Sequence, residues 1–407
     1  MRNLGMAFAR AALPLLAAAC GDAADGGGSV ATDSAGVRVV RSDRPAWKDG
    51  EGWTVGDAPS LDIGVVDGDA AYQLDRVVSV ARLSDGRILV ANGGSHQLRL
   101  FGPDGRHLAS MGREGGGPDE FRGLDWAGVG AGDTLLAWDG RQKRLTAFTP
   151  DGTLVRAVQP GGPEQQYPRV FGTLADGSIL STGGFSVDGF RMGESRDSVR
   201  YHRFAADGRA LGDLGRFAGM EAFTIELDNM ILQDQVLFGR DVLVRPAGAE
   251  VLVADNDRYE VRFLGLDRTL RRIVRRRHEP VRVQSADVDA HFAARGGGAG
   301  GGNPDEAAFR RMLERQKQVM PHRETFPAFK DARTDAEGNL WVEQYPRPRD
   351  EQSRWDVFDR EGRWLGTVET PAGLTVHQIG ADWMLGVQPD ELGVEHVRTY
   401  PLVKSAR

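Results

Sequence analysis

The chain has 407 residues, with 51 lysines and arginines against 58 aspartates and glutamates, and a net charge of -7. This charge disfavours a nucleic-acid groove or a polybasic membrane surface, so we expect no nucleic-acid partner. With 40% hydrophobic and 27% charged residues the composition is globular, and the single cysteine excludes an intramolecular disulfide or a thiolate zinc cluster.

The first 19 residues are organised like an export signal. A basic segment that ends at Arg10 is followed by the apolar residues 11–19 and then by Cys20, so residues 1–19 are predicted to be a signal peptide. The segment resembles a bacterial lipoprotein signal, which implies that Cys20 is lipidated and anchors the chain in a membrane. Ala17 stands where such signals usually have leucine. Ordinary cleavage after the pattern Ala17-x-Ala19, with an unmodified Cys20, is the alternative.

Residues 20–35 are predicted to be a flexible tether, because they are rich in small and polar residues and lack apolar periodicity. By resemblance to Gram-negative sorting rules, Asp22 in the third position of the mature chain implies the outer membrane. We therefore expect a lipoprotein of the cell envelope, at the outer membrane or facing the periplasm, whose folded part is residues 36–407.

The folded part repeats a pair of hairpins. One hairpin of each pair has an aromatic strand end before a turn that mostly reads Asp-Gly or Glu-Gly, at Phe101, Phe148, Phe204, Phe263 and Phe358. Glycine supplies the positive φ that tight hairpins require, and a second hairpin precedes each of these. Two hairpins make the four strands of one propeller blade. Five blades are predicted, at residues 77–112, 124–158, 168–215, 240–275 and 329–369.

A sixth blade is incomplete, since residues 374–402 contain only three strands. The isolated strand 61–63 is expected to complete it, because pairing a terminal strand removes the open edges of a sheet. The predicted fold is all-β: a six-bladed β-propeller of four-stranded antiparallel blades, closed by an N-terminal strand. Residues 37–42 either add an outer strand or lie along the rim.

A Gly-rich segment at residues 112–121 contains Pro118, Glu120 and Phe121. It resembles the crossover between blades of the NHL-repeat type. Together with the blade pattern, it makes the chain similar to bacterial six-bladed propeller lipoproteins related to the NHL-repeat group, over roughly residues 60–402. This resemblance implies the fold and leaves the function open, because propellers host many unrelated activities.

A helical insertion is predicted at about residues 284–322, between blades 4 and 5. Asn303 and Pro304 are typical of a helix start, and apolar residues follow at helical spacing. The insertion either packs against the blade edges or serves as a lid or a partner-docking helix. Residues 216–235 are predicted to be an apolar loop packed under it.

The loops that follow the second strand of each blade are predicted to ring one face of the propeller. They begin with acids or amides and continue with arginines, and we find no hydrolase elbow, zinc helix or P-loop motif. The candidate ligand-binding residues are Asn92, Asp139, Asp255, Asn256, Glu343, Tyr345 and Arg347. The structural alternative is that each acid accepts hydrogen bonds from its own loop and pairs with the nearby base.

One basic run, between Arg271 and Arg277, falls on a predicted strand. Alternate side chains of a strand face opposite sides, so the run does not form a single patch. It is either a solvated edge or a contact for an anion.

The leading functional hypothesis is a lipid-anchored module, without evident catalysis, that binds a protein, peptide or glycan. The alternative is a hydrolase similar to calcium-dependent six-bladed lactonases and esterases. In that case Asp139, Asp255, Asn256 and Glu343 would hold calcium, which would act as a Lewis acid. A purely structural subunit of an envelope complex is a third hypothesis.

Overall fold

The computed structural model describes residues 28–160, 168–183, 191–227, 230–296, 304–347, 350 and 352–404. The predicted signal peptide, Cys20 and the expected helix cap Asn303 lie outside the described residues. So do residues 184–190 of the loop that is predicted to follow the second strand of the third blade. Within the described ranges, no helix is long and apolar enough to cross a membrane.

Four strands come first in the chain: β1 (Ser29–Ser34), β2 (Val37–Ser42), β3 (Thr54–Val55) and β4 (Leu61–Ile63). Sheet I contains β5 (Val77–Arg82), β6 (Ile88–Asn92), β7 (Gln97–Phe101) and β8 (His107–Met111). Sheet II contains β9 (Leu124–Val129), β10 (Leu135–Asp139), β11 (Arg144–Phe148) and β12 (Leu154–Val158). Sheet III contains β13 (Val170–Thr173), β14 (Ile179–Thr182), β16 (Ser198–Phe204) and β17 (Ala210–Ala218). A separate side sheet contains β15 (Gly193–Ser195), β18 (Ala222–Leu227) and β19 (Met230–Gln235).

The second half of the chain repeats the pattern. Sheet IV contains β20 (Val242–Ala247), β21 (Glu250–Asp255), β22 (Glu260–Gly265) and β23 (Leu270–Arg276). Two helices follow, α1 (Ser285–Gly296) and α2 (Pro304–Val319). Sheet V contains β24 (Asp331–Thr334), β25 (Leu340–Glu343), β26 (Arg354–Phe358) and β27 (Trp364–Glu369). Sheet VI contains β28 (Thr375–Ile379), β29 (Trp383–Pro389) and β30 (Glu395–Val403). The chain is therefore mostly β and built of four-stranded antiparallel sheets, consistent with a β-propeller.

The second strand of each sheet is buried on both faces, which explains its continuous apolar sequence. In β25, Trp341 packs between sheets V and VI, whereas its neighbour Val342 packs between sheets IV and V. In β10, Leu136 packs towards sheet III and Leu135 towards sheet I. Successive side chains of a strand point to opposite faces, so each of these strands contributes to two cores.

The core is divided into clusters that lie between consecutive sheets. Sheets I and II share one cluster, and the same holds for sheets II and III, III and IV, IV and V, and V and VI. A further cluster joins the last sheet to the first, with Leu385 and Val397 of sheet VI packed near Val90 and Phe101 of sheet I. Strand β4 pairs with β30 at the outer side of sheet VI and contributes Ile63 to this cluster.

The N-terminal hairpin differs in part from the prediction. Residues 37–42 do form an outer strand, since β2 pairs in parallel with β23 of sheet IV. However, Ser29–Ser34, assigned to the flexible tether, form β1, which pairs with β2. Ala35 and Gly36 have φ of 50° and 78°, the conformation of a two-residue hairpin turn. The polar composition of β1 concealed this pairing, because an exposed outer strand needs no apolar face.

The predicted loop at residues 216–235 is in fact mostly strand: it contains the end of β17 and the hairpin β18–β19. Near its end it contacts the helices, where Asp234 accepts a hydrogen bond from Gln316 of α2 (2.9 Å). Phe292 of α1 and Leu313 of α2 pack with Phe238, which follows this segment, and with Phe326.

Candidate functional site

The side chains at the ends of the second strands hold the crossover segments in place. Asn92 Oδ1 accepts a hydrogen bond from the backbone N–H of Asp75 (2.8 Å), and Asp139 Oδ2 accepts one from Arg122 (2.6 Å). Asn256 Oδ1 accepts one from Asp241 (2.8 Å). Each donor precedes the first strand of the same sheet, so these residues fix where a new sheet begins.

Each acid of the calcium alternative accepts a hydrogen bond or forms an ion pair within the protein. Burial alone would raise the pKa of Asp139, but hydrogen bonds from backbone N–H groups, including those of Gln142 and Arg122, lower it below its usual value. Asp255 pairs with Arg196 (3.0 Å), and Glu343 pairs with Lys330 (3.0 Å). Within the described ranges, no group of three or more His, Cys, Asp or Glu side chains could hold a metal ion.

A cavity of about 770 Å³ lies between sheets IV and V, and we call it the main cavity. The end of β23, the segment before β24 and the loop after β25 provide most of its wall. Two of the predicted ligand-binding residues, Tyr345 and Arg347, line it. Asn92, Asp139, Asp255 and Asn256 do not belong to its lining.

The buried carboxylate of Asp356 holds two residues that line the main cavity, Arg276 and Gln344. Its Oδ2 accepts hydrogen bonds from the Tyr259 hydroxyl (2.7 Å) and from Arg276 Nη1 (2.5 Å). Its Oδ1 accepts from Gln344 Nε2 (3.1 Å) and from the Thr367 hydroxyl (2.9 Å). Four donors therefore stabilise a charge that would otherwise be costly to bury.

Asp356 and Trp364 hold Arg276 in a fixed orientation. Its guanidinium stacks over Trp364 at 4.0 Å and lies 5.3 Å from the ring of Tyr259. Its Nη1 donates a hydrogen bond to Asp356, whereas its Nε is buried without a partner in the described part of the chain. Arg276 is thus a preoriented cation at the cavity wall.

More cationic groups surround the cavity. Arg277 and Arg354 line it and pair at their outer ends with Glu279 (3.3 Å) and Glu369 (3.0 Å). Burial and the neighbouring Arg276 lower the pKa of His278, so this side chain is neutral near pH 7. The arginine run that the sequence left open thus contributes Arg276 and Arg277 to a cavity, through the end of β23.

The helical insertion supports the cavity wall from behind. Tyr345 packs against Phe326 (5.6 Å between ring centroids) and Phe238 (6.5 Å). Phe238 belongs to the cluster that contains the helix residues Phe292 and Leu313. The aromatic side of the main cavity therefore rests on α1 and α2.

A second cavity of about 230 Å³ lies between the first strands of sheets IV, V and VI, and we call it the axial cavity. Its lining includes Glu343, Arg245 and, from β24, Asp331 and Arg333. Burial alone would raise the pKa of Asp331, but Arg333 and Arg245 together lower it below its usual value. Burial, assisted by Arg333, lowers the pKa of the adjacent His377 to about 4.

Sequence reasoning missed the axial residues of the first strands. The available signal was an ionisable side chain inside a first strand of a sheet, as at Arg245 in β20 or His377 in β28. The side chain of such a residue cannot reach bulk solvent when its strand lies inside the molecule. It therefore indicates a polar space in the interior.

No protein-family model matches the chain, and no curated protein matches it. Solved structures that it resembles include a Bacteroides fragilis protein described as exported, with 12% identity over 86% of this chain and 98% of that chain and a TM-score of 0.48. A gluconolactonase from Xanthomonas campestris has 13% identity over 86% of this chain and 100% of that chain, with a TM-score of 0.39. A virginiamycin B lyase from Staphylococcus aureus has 7% identity over 86% and 100% of the two chains, with a TM-score of 0.40.

Proposed function

We propose that this protein is an envelope-located, six-bladed β-propeller that binds an anionic organic ligand in the main cavity. Sheets I to VI are the six blades, and β4 closes the ring by pairing with β30. The core cluster that joins sheet VI to sheet I supports this closure, because it completes a cycle of clusters between neighbouring sheets. Export and a lipid at Cys20 belong to the same proposal and rest on the N-terminal sequence.

The orientation of Arg276 is the observation that indicates an anionic ligand. A buried carboxylate and an aromatic ring hold this guanidinium at the wall of a cavity, with part of its donor fork unused. Arginine recognises carboxylate and phosphate groups through paired hydrogen bonds, and preorientation lowers the entropy lost on binding. Acidic glycans and acidic peptides carry such anionic groups. The rest of their surface is polar, which suits the polar lining of the cavity.

The size of the main cavity fits this class. Binding sites for small molecules usually have volumes of about 300–1,000 Å³, and the cavity has about 770 Å³. Arg347 lies at its wall, and among the described residues its guanidinium has no ion-pair partner. A ligand that extends from Arg276 towards the loop after β25 would therefore meet a second cation.

An array of acidic oligosaccharides and acidic peptides tests the proposal, followed by titration of the best ligand. Arg347→Gln is expected to weaken binding by at least about tenfold, because one charge-assisted hydrogen bond contributes roughly 1.5–3 kcal/mol. The control is Arg360→Gln, an exposed arginine that pairs with Glu361 and lines a different cavity. Equal affinities for Arg347→Gln and the wild type would contradict this use of the main cavity.

Calcium separates this proposal from the hydrolase alternative. A bound ion would stabilise the fold by about 2.7 kcal/mol at one hundred times its dissociation constant. Since Asp139, Asp255 and Glu343 already accept hydrogen bonds or ion pairs from protein groups, we expect the same melting temperature in EDTA and in calcium. A saturable rise with calcium would favour the hydrolase and justify a lactonase and esterase screen.

A further inference from the structure

The axial cavity has a different chemistry from the main cavity. The first strands of three sheets and the end of β25 form its wall. No residue of its lining belongs to the lining of the main cavity, although Ser353 of the main cavity donates a hydrogen bond to Glu343 of the axial cavity. The axial cavity is therefore a second site with its own set of charged residues.

The charges in the axial cavity do not balance. Its lining contains three cationic side chains, Arg245, Lys330 and Arg333, and two carboxylates, Asp331 and Glu343. Arg245 lies 3.4 Å from Asp331, Arg333 also pairs with Asp331, and Lys330 lies 3.0 Å from Glu343. One carboxylate thus serves two arginines, and one positive charge is left in excess.

One further observation indicates that a donor is left over. Arg333 Nε is buried and has no hydrogen-bond partner in the described part of the chain. A buried donor without a partner costs free energy, and an incoming acceptor would remove that cost.

We infer that the axial cavity binds a small oxyanion, such as phosphate, between Lys330, Arg333 and Arg245. A volume of about 230 Å³ accommodates such an ion with a few waters, whereas sites for drug-sized ligands start at about 300 Å³. Excess positive charge in a partly enclosed cavity also repels divalent cations. Thr375 lines the same space, and its side chain carries a hydroxyl that can donate a hydrogen bond.

Titration with inorganic phosphate, at constant ionic strength set by sodium chloride, tests the inference by thermal shift and calorimetry. We expect a saturable rise in melting temperature for the wild type. In Lys330→Gln the dissociation constant for phosphate should rise at least about tenfold, because one charged donor is lost. Lys330→Arg should restore most of the affinity, since it keeps the charge and the donors.

Two control variants locate the site. Lys404→Gln removes another lysine that pairs with carboxylates beside a cavity, at the opposite end of β25, and should leave the phosphate affinity unchanged. Arg347→Gln should also leave it unchanged, because Arg347 lines only the main cavity. Loss of phosphate binding in Arg347→Gln, an unchanged affinity in Lys330→Gln, or no saturable response of the wild type would each overturn the inference.

Glucose 6-phosphate identifies the source of the oxyanion. If the sugar phosphate binds as tightly as inorganic phosphate or more tightly, the site accepts the terminal phosphate of a larger molecule. If only inorganic phosphate binds, the site holds the free ion. Both results support an oxyanion site, and in both cases the effect must depend on Lys330.

Discussion

Asp356 shows how one buried residue prepares the main cavity. Its carboxylate is fully buried and accepts hydrogen bonds from Tyr259, Arg276, Gln344 and Thr367. Burial and the negative charge of Asp356 raise the pKa of Tyr259 well above its usual value, so the phenol keeps its proton and remains a donor. The position of the Arg276 guanidinium therefore depends on a residue that does not itself line the cavity.

Asp356→Asn is expected to destabilise the protein by about 3 kcal/mol, because it leaves Arg276 without its buried counter-charge. Glu369→Gln is the matched control: it also converts an acid to an amide in sheet V, but its pair with Arg354 is exposed. This control should cost less than about 1 kcal/mol. Urea unfolding measures both free-energy changes. Equal changes would show that the buried pair of Asp356 and Arg276 contributes no more to stability than the exposed pair.

His377 makes the stability of the fold depend on pH. Its pKa is lowered from 6.5 to about 4, chiefly by burial and secondly by Arg333. Between these values the unfolded chain binds a proton that the folded chain does not. The free energy of unfolding is therefore undiminished by this residue above pH 6.5 and decreases as the pH falls towards 4.

The expected loss is about 2 kcal/mol, after allowance for the partial exposure of His377. His377→Gln should remove this part of the pH dependence, whereas the exposed His322→Gln should leave the profile as in the wild type. Urea unfolding at a series of pH values provides the test. If the free energy of unfolding of His377→Gln falls with pH as steeply as that of the wild type, other groups cause the loss of stability. His278 and His291 are among them, because their pKa values are also lowered.

At the scale of elements, the hairpin turns do more than reverse the chain. Gly362, in the turn between β26 and β27, has a φ of +96° and lies against the neighbouring sheet. A Cβ at this position would be 2.7 Å from Val274 of β23 and 3.4 Å from Val40 of β2. This glycine thus provides both the turn conformation and the close contact between sheets V and IV.

Gly362→Ala is therefore expected to cost more than Gly248→Ala. Gly248 also has a positive φ, +64°, but no atom lies within 4 Å of the position that a Cβ would occupy there. The backbone effect alone costs about 1–2 kcal/mol, and overpacking adds about 1–3 kcal/mol at Gly362 only. Denaturant midpoints of the two variants measure this extra destabilisation of Gly362→Ala. Equal midpoints would show that sheets IV and V can move apart at this turn without cost.

At the scale of the whole molecule, the proposed closure joins residues that are distant in sequence. Ile63 of β4 is buried between sheet VI and sheet I, beside Val397 and Phe101. Its strand pairs with residues more than three hundred positions further along the chain. In the proposed closed ring such a contact stabilises every sheet at once, because an open ring would expose the cores at both free ends.

Ile63→Ala should destabilise the protein by about 2–5 kcal/mol, the usual cost of a buried isoleucine. Val66→Ala, in the same N-terminal segment but 60% exposed, should stay within about 0.5 kcal/mol of the wild type. Calorimetry should also show a single transition for both variants if the sheets unfold together. A separate early transition in Ile63→Ala alone would show that the remaining sheets hold without the closing strand.

Much of the local architecture was predictable from the sequence. Strand pairs such as β25–β26 and their turns follow from alternating apolar residues and from glycines at positions that need positive φ. The pairing of Leu61–Ile63 with β30 was also predictable, because sheet VI lacked a strand. The helix α2 follows from its periodicity, whereas α1 falls within the predicted helical insertion 284–322 without a periodic pattern having been assigned to it.

The candidate site was only partly predictable. Tyr345 and Arg347 were recognised from an unusual loop, and both line the main cavity. Asn92 and Asp139 were chosen from the same loop positions, but they hold backbone N–H groups of the crossovers. The arginines of β23 were recognised only as a run, since their role depends on which neighbour each of them faces.

The sequence by itself determined the strands, their turns and the repeat of four strands per sheet, because those features depend on periodicity and backbone conformation within short stretches of chain. Only the tertiary structure decided which side chains share a cavity. Asp356, Arg276 and Trp364 come together because sheets IV and V pack face to face, and Lys330 and Arg245 line one cavity because the first strands of different sheets meet there. These contacts depend on the angle and distance between sheets, which the interdigitation of buried side chains sets and which no local pattern records.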